Sequence, residues 1–290
     1  MHEPLTLGHE SSGIITAVGS SFVTSDYGLR PGDRVALEVG QPCEACELCC
    51  PPRRTDTGDL DSSEREKTKL VGEESRYNIC RGMRFRSSAK GWPQFSHAQG
   101  TLQEVVAHPA KWCHKLPDGV DYTMGALAEP LSVAWHAAGR AQIASLALLG
   151  VSETIKKPKI LVFGAGAVGL LCAAVCKSIT KGRALVVIAD IQEDRVRFAV
   201  QNGFADAALV VPITEKRPAE MTMEEKLEYA RGVAERVKGA ETGRGNGGGD
   251  KVGEVDVTFE CTGVESCLQS AIYVSIPLFL PRFSLFFGLW

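Results

Sequence analysis

No run in this 290-residue chain reaches the roughly 18 consecutive apolar residues of a membrane span, and the opening MHEPLTLGHE lacks the basic start and apolar stretch of a secretory signal. Neither sign of charge dominates: 32 Lys and Arg stand against 35 Asp and Glu, a formal net charge of −3, so nothing points to nucleic acid. These absences lead to the expectation of a cytoplasmic protein with neither a membrane nor a nucleic-acid partner. What remains is 44% hydrophobic and 23% charged, enough apolar material for two domains. Ten cysteines without a secretion signal point to thiols of a reducing compartment, used for metal or simply buried, rather than to disulfides.

The most informative stretch is Ile160 to Gly169, ILVFGAGAVG, with Gly164, Gly166 and Gly169 in GxGxxG spacing. The three glycines serve different ends. Gly164 permits the tight turn, Gly166 lets a pyrophosphate approach the backbone, and Gly169 lets the following helix pack close to the strand. A bare match is weak, but the context strengthens it. Lys159 to Phe163 reads as a buried strand, Ala167 to Ser178 as an apolar helix and Ala184 to Ala189 as a second strand. Asp190 ends that second strand, 21 residues past Gly169, where a carboxylate accepts bonds from the adenosine ribose and repels the extra phosphate of NADP. The pattern predicts a Rossmann sheet holding NAD, the alternative being a glycine turn in some other α/β protein with a surface Asp.

Cys43, Cys46 and Cys49 form CxxCxxC, Cys50 follows at once, and Cys80 lies downstream in RYNIC. Three thiolates at this spacing can meet at one centre, and a fourth closes a tetrahedral structural zinc site. The alternative of buried loop thiols is disfavoured because QPCEACELCC has little apolar sequence to bury them. Cys172 and Cys176, four apart on the apolar helix, read as core residues, as do Cys113, Cys261 and Cys267. His97, His108, His114 and His136 have no partner at ligand spacing and read as structural.

Gly8-His9-Glu10 precedes an alternating run from Ser12 to Val18 and is weak by itself. The order of motifs changes this. GHESSGIITAVG, PGDRVALE from Pro31, the cysteine cluster, EPLSVAWHA from Glu129, GAGAVG and ECTG from Glu260 together resemble the zinc-containing medium-chain dehydrogenases, most closely the fungal sorbitol, xylitol and L-arabinitol dehydrogenases. The resemblance runs from about Leu7 to Tyr273. It implies an α/β protein: a mostly-β, GroES-like catalytic domain over residues 1–125 and a Rossmann domain over 126–290. His9 and Glu10 would be catalytic zinc ligands, with Glu129 reaching the metal directly or through its water and relaying a proton. A carboxylate at Glu129 separates this subgroup from the ordinary alcohol dehydrogenases, which place a cysteine in that region. Val168, Asp190 and Arg195 would contact NAD, Phe85 would line the substrate pocket, and a homo-oligomer, dimer or tetramer, would be expected. The implied reaction is oxidation of a sugar alcohol to its ketose by hydride transfer to NAD, with a zinc Lewis acid favouring the alkoxide.

Three departures from the family pattern stand beside the match. The family carries a further cysteine ligand of the catalytic zinc upstream of the His9 region, so the resemblance implies truncation at the N-terminus. Thirty residues, 50–79, separate the third and fourth cysteines where the family has seven; the charged segment 51–73 accounts for the excess and reads as a disordered surface loop. From Ser275 the sequence SIPLFLPRFSLFFGLW leaves the family, so the Rossmann sheet is expected to be incomplete after its fourth strand, Val255 to Phe259. The apolar tail either covers the edge of that strand or is an aggregation hazard. A third strand is expected near Ala207 to Val211, then a charged amphipathic helix from Met221 to Lys238 and a glycine-rich linker, GAETGRGNGGGDKVG. Two other functions stay open: a catalytically incompetent remnant binding only zinc or dinucleotide, and a zinc dehydrogenase acting on butanediol or threonine.

Overall fold

The computed structural model describes residues 4–20, 27–50, 76–88, 98–145, 157–214, 216, 218–242, 250–275 and 282–285. The insertion 51–73, His97, most of the glycine-rich linker and all of the tail beyond Ser275 except 282–285 lie outside the described residues. The chain divides into two compact units, Met1–Glu129 and Pro130–Trp290.

The first unit is built on short antiparallel pairings. Strands β1 (Ser12–Ile14), β2 (Arg34–Leu37) and β5 (Cys113–Lys115) form a sheet in the order β1-β2-β5, and β3 (Gly40–Gln41) pairs with β4 (Arg84–Phe85). The alternation from Ser12 to Val18 predicts a longer β1 than is found. The ladder ends because β2 begins only at Arg34, after a turn in which Gly32 takes φ +94° and its N–H bonds to Ile15 O. Arg86, just after β4, ties distant backbone together: Nε donates to His108 Nδ1 at 2.9 Å, Nη1 to Gln99 O at 3.2 Å and Nη2 to Ala107 O. Two helices close the unit, α1 (Tyr122–Ala126), capped by Asp121 accepting from Met124 N at 2.7 Å, and the start of α2 (Ala128–Arg140).

The second unit is a parallel sheet of β6 (Lys159–Phe163), β7 (Leu185–Asp190), β8 (Ala207–Val210), β9 (Val257–Glu260) and β10 (Arg282–Leu285), in the order β10-β9-β6-β7-β8. A parallel sheet covered on both faces needs strands that are apolar throughout, and KILVF meets that demand. Ile160 and Val162 turn to one face, against Cys172, Ala173 and Cys176 of α3 (Ala167–Ile179). Leu161 and Phe163 turn to the other, against Val233 and Val237 of α5 (Met223–Gly239) and Ala271 and Val274 of α6 (Glu265–Val274). Helix α4 (Glu193–Gln201) follows β7. Helix α5 begins two residues later than its charge pattern predicts, because Thr222 and Glu225 form a reciprocal capping box. Beyond the fourth strand, β10 runs parallel to β9 with Arg282 opposite Val257 and Leu285 opposite Glu260, so part of the apolar tail covers that edge. Among the described residues no helix is long and apolar enough to cross a membrane.

His108 carries a measurable consequence. Its Nδ1 accepts from Arg86, so Nε2 holds the proton and faces Trp112 O at 3.2 Å; burial, then the Arg86 charge, lower its pKa from 6.5 to about 4. In the unfolded chain this ring charges as the pH drops below about 6.5, whereas in the fold it stays neutral until about 4. Stability is therefore whole above 6.5 and declines between 6.5 and 4, by roughly 1–2 kcal/mol for a partly buried ring. Thermal melts across this range should show a shallower decline for His108→Gln, which keeps an acceptor and a donor but does not titrate.

Candidate functional site

Two clusters of metal-ligating side chains lie in the first unit. In the first, the Sγ atoms of Cys43, Cys46, Cys49 and Cys80 all lie within 4.8 Å of one another. The separations are 3.4 Å for Cys43–Cys80, 3.5 Å for Cys46–Cys49, and 3.7 Å for both Cys43–Cys49 and Cys46–Cys80. Four thiolates about 2.3 Å from one zinc ion would stand about 3.8 Å apart, so the tetrad is already close to tetrahedral scale. The chain turns needed for this are local: the 3-10 turn Tyr77–Ile79 sets Cys80, and a Cβ on Gly82 would sit 2.7 Å from Cys43 Cβ.

Electrostatics prepare the cluster for a cation. The backbone amide of Cys49, then that of Arg81, lower the Cys46 thiol to about 6, while burial pushes Cys80 up to about 12. A cation held by these thiols would supply the charge that favours the Cys80 thiolate. Trp112 is buried beneath the lobe, with its ring centroid 5.0 Å from that of Tyr77. Lys111 Nζ stands 5.0 Å above the same indole and bonds to Glu44 at 2.8 Å. Cys50 is exposed and is not part of the tetrad.

The second cluster joins His9, Glu10 and Glu129, whose ligand atoms also lie within 4.8 Å of one another. His9 is delivered by a tight backbone crossing: Gly100 N–H bonds to Thr6 O at 2.7 Å, Thr101 N–H to Gly8 O at 2.8 Å and Leu102 N–H to Leu7 O at 3.0 Å. Gly100 has no room for a side chain, since a Cβ there would lie 2.2 Å from Leu7 O. Glu129 comes from the first turn of α2 and is half-buried. Burial raises its pKa, Glu10 adds to the rise, and His9 opposes it. One imidazole and two carboxylates form a three-residue donor set of the kind that can hold a catalytic zinc. Phe85 is 42% exposed on β4 beside Gly40, and no described contact joins it to this cluster.

The second unit holds a cavity of about 680 Å³ at the carboxyl ends of β6, β7 and β9, lined by Gly164, Gly166, Asp190, Arg195 and Thr262 among others. Gly164 turns with φ +95°. A Cβ on Gly169 would lie 1.9 Å from Gly164 O, whereas one on Gly166 would meet nothing within 4 Å. Gly166 caps α3 with no side-chain bond to the first amides, leaving donors that suit a phosphate. Asp190 Oδ2 accepts from Ala165 N at 2.6 Å and Oδ1 from Gln192 N at 2.8 Å; each oxygen keeps a second lone pair. Val168 packs partly against the core and does not line the cavity. Sequence reading gave Gly82, Gly100 and Glu260 no site role; the first two carry no motif, and Glu260 showed only as the first letter of ECTG.

A β unit carrying two groups of metal-ligating side chains, followed by a parallel sheet with a glycine turn, is the architecture of a zinc-binding dehydrogenase. Residues 1–118 match the alcohol dehydrogenase GroES-like domain. The chain belongs to the zinc-containing medium-chain dehydrogenases. It is 34% identical over 275 residues to the "Probable D-xylulose reductase A" of Emericella nidulans, covering 95% of this chain and 57% of the relative. Among solved structures, an Escherichia coli oxidoreductase/dehydrogenase of unknown specificity is 26% identical, with a TM-score of 0.56 over 94% of this chain and 57% of its own. Escherichia coli L-idonate 5-dehydrogenase shares the fold at 22% identity and a TM-score of 0.57, over 93% of this chain and 57% of its own. The chain thus spans a little over half the length of these relatives.

The glycines make a paired prediction. Gly169→Ala forces α3 off the turn and should cost about 3 kcal/mol or more in thermal or denaturant unfolding. Gly166→Ala, with open space around it, should leave stability within about 0.5 kcal/mol while weakening dinucleotide binding measured by calorimetry.

Proposed function

We propose that the chain carries the machinery of a zinc-dependent, NAD-linked polyol dehydrogenase that oxidises a sugar alcohol such as sorbitol, xylitol or L-arabinitol to its ketose. The convergence of His9, Glu10 and Glu129 on one centre carries the reading, because a lone structural cluster would not need it. Zinc bound by these three side chains would supply Lewis acidity to the substrate hydroxyl, and NAD in the second unit's cavity would accept the hydride. His9 and Glu10 hold and orient the metal. Glu129, whose burial favours the protonated carboxyl, is suited to receive the hydroxyl proton and pass it on. A carboxylate-rich site also suits a polyhydroxylated substrate, whose neighbouring hydroxyls find acceptors there. Cys43, Cys46, Cys49 and Cys80 hold a second, structural zinc.

On the dinucleotide side, the α3 amides take the pyrophosphate and Asp190 the adenosine ribose, with Arg195 beside it at the cavity wall. The Asp190 carboxylate favours NAD over NADP, whose added phosphate it repels. The family resemblance supports a homo-oligomer of two or four chains.

Metal analysis and a substrate panel test the reading together. The purified chain should bind two zinc ions. Cys80→Ser and His9→Ala should each remove one, and only His9→Ala and Glu129→Gln should lower NAD-linked turnover, by at least about 100-fold. Zinc binding without turnover of any polyol, butanediol or threonine would overturn the enzyme assignment. Turnover confined to butanediol or threonine would overturn the polyol one.

A further inference from the structure

Glu260, the last residue of β9, is a carboxylate only 2% exposed. All its bonds come from the turn that follows it: Oε1 accepts from Thr262 N at 2.7 Å and from Thr262 Oγ1, and Oε2 accepts from Gly263 N at 3.0 Å. Thr262 Oγ1 in turn accepts from Val264 N at 3.0 Å, which fixes the turn beside the carboxylate. Three donors and no described acceptor make a setting suited to a carboxylate. Among the described residues no lysine, arginine or histidine bonds to it, while Glu265 and Lys226, which also line the cavity, pair with each other at 3.0 Å. A buried charge balanced only by two amides and a hydroxyl is costly to keep, and a hydrophobic or amide side chain would fill the space without that cost.

The topology says where this charge acts. From β6 the chain adds β7 and then β8 on one side, and returns to place β9 on the other, so the strand order reverses between β6 and β9. A two-part ligand crosses the sheet at such a reversal, one half over each side. The proposed adenosine contact, Asp190, ends β7, which leaves the nicotinamide half over the end of β9. There Cys261 and Thr262 wall the cavity, with Glu260 one residue behind them. Its field reaches a neighbouring group: after the bond to Cys172, burial and the Cys172 charge, the Glu260 charge contributes to raising the Cys261 thiol.

We propose that Glu260 sets the oxidation-state preference of the dinucleotide site: its buried negative charge favours the cationic, oxidised nicotinamide ring over the neutral, reduced one. This rests on the dinucleotide reading above and adds to it a direction, towards holding the oxidised form and releasing the reduced one, which suits an enzyme working as an alcohol oxidant. Calorimetric titration of the full chain with NAD⁺ and with NADH tests it, with thermal melts to establish folding. Glu260→Gln, which removes the charge at nearly constant shape, should lower the affinity for NAD⁺ relative to NADH about tenfold. Glu260→Asp, which keeps the charge, should hold the ratio within about threefold of the unaltered chain. Equal weakening of both forms by Glu260→Gln would show a role in turn geometry alone and overturn the proposal. If Glu260→Gln does not fold, Glu260→Asp decides: a ratio within about threefold supports the charge and a larger change overturns it. Binding of neither form by the unaltered chain overturns the dinucleotide reading and this proposal with it, whereas binding of both with an unmoved ratio in Glu260→Gln overturns this proposal only.

Discussion

The contact between α3 and the turn after β6 is the constraint on which the second unit depends. With 1.9 Å between a notional Cβ on Gly169 and the Gly164 carbonyl oxygen, no residue but glycine allows the helix to start where it does. Starting there, the helix lays Cys172, Ala173 and Cys176 over Ile160 and Val162 and aims its uncapped amides into the cavity. One close approach therefore sets core packing on one face of the sheet and anion affinity at its edge. Asp190 reinforces the same point by bonding across to Ala165 N, so the ends of β6 and β7 are held in register at the cavity mouth.

The first unit obeys a different logic, in which backbone crossings rather than a continuous core bring side chains together. His9 reaches Glu10 and Glu129 because residues 6–8 lie tightly on residues 100–102, and Cys80 reaches Cys43 because Gly82 lets the chain pass close beside it. Both clusters bring the ligand atoms of several side chains within 4.8 Å of one another, a spacing that a single cation would bridge. The Cys46 and Cys80 thiols are pushed in opposite directions: amides favour one thiolate while burial disfavours the other, and a divalent ion would favour both.

Much of this was legible along the chain. Strand β6, helix α3 and strand β7 fall within about a residue of where hydrophobic runs and glycine spacing put them, because strands buried on both faces have little freedom to read otherwise. Cys43, Cys46 and Cys49 were identifiable from spacing and Cys80 from the family resemblance; the structure brings all four together across thirty intervening residues, since lengthening a loop changes closure entropy only slowly. The shortness of β1 was not legible: alternation shows which residues suit a strand, but the partner's length decides how many pair. Nor was the strand formed by Arg282–Leu285, whose pairing depends on an edge of β9 left open by the fold.

By itself the sequence determined the chemistry on offer: a glycine turn, one acidic residue after a second strand, four cysteines at metal spacing, and a histidine with two glutamates, one of them far along the chain. These are properties of residue type and local spacing, which short-range sterics and hydrophobic periodicity enforce. The tertiary structure alone decided which groups meet and which charges are buried. It brought Glu129 to His9 across 120 positions, gave Gly82 and Gly100 their purpose, and enclosed Glu260 without a counter-ion among the described residues. Burial and long-range contact arise from the packing of distant segments, and no local pattern records them.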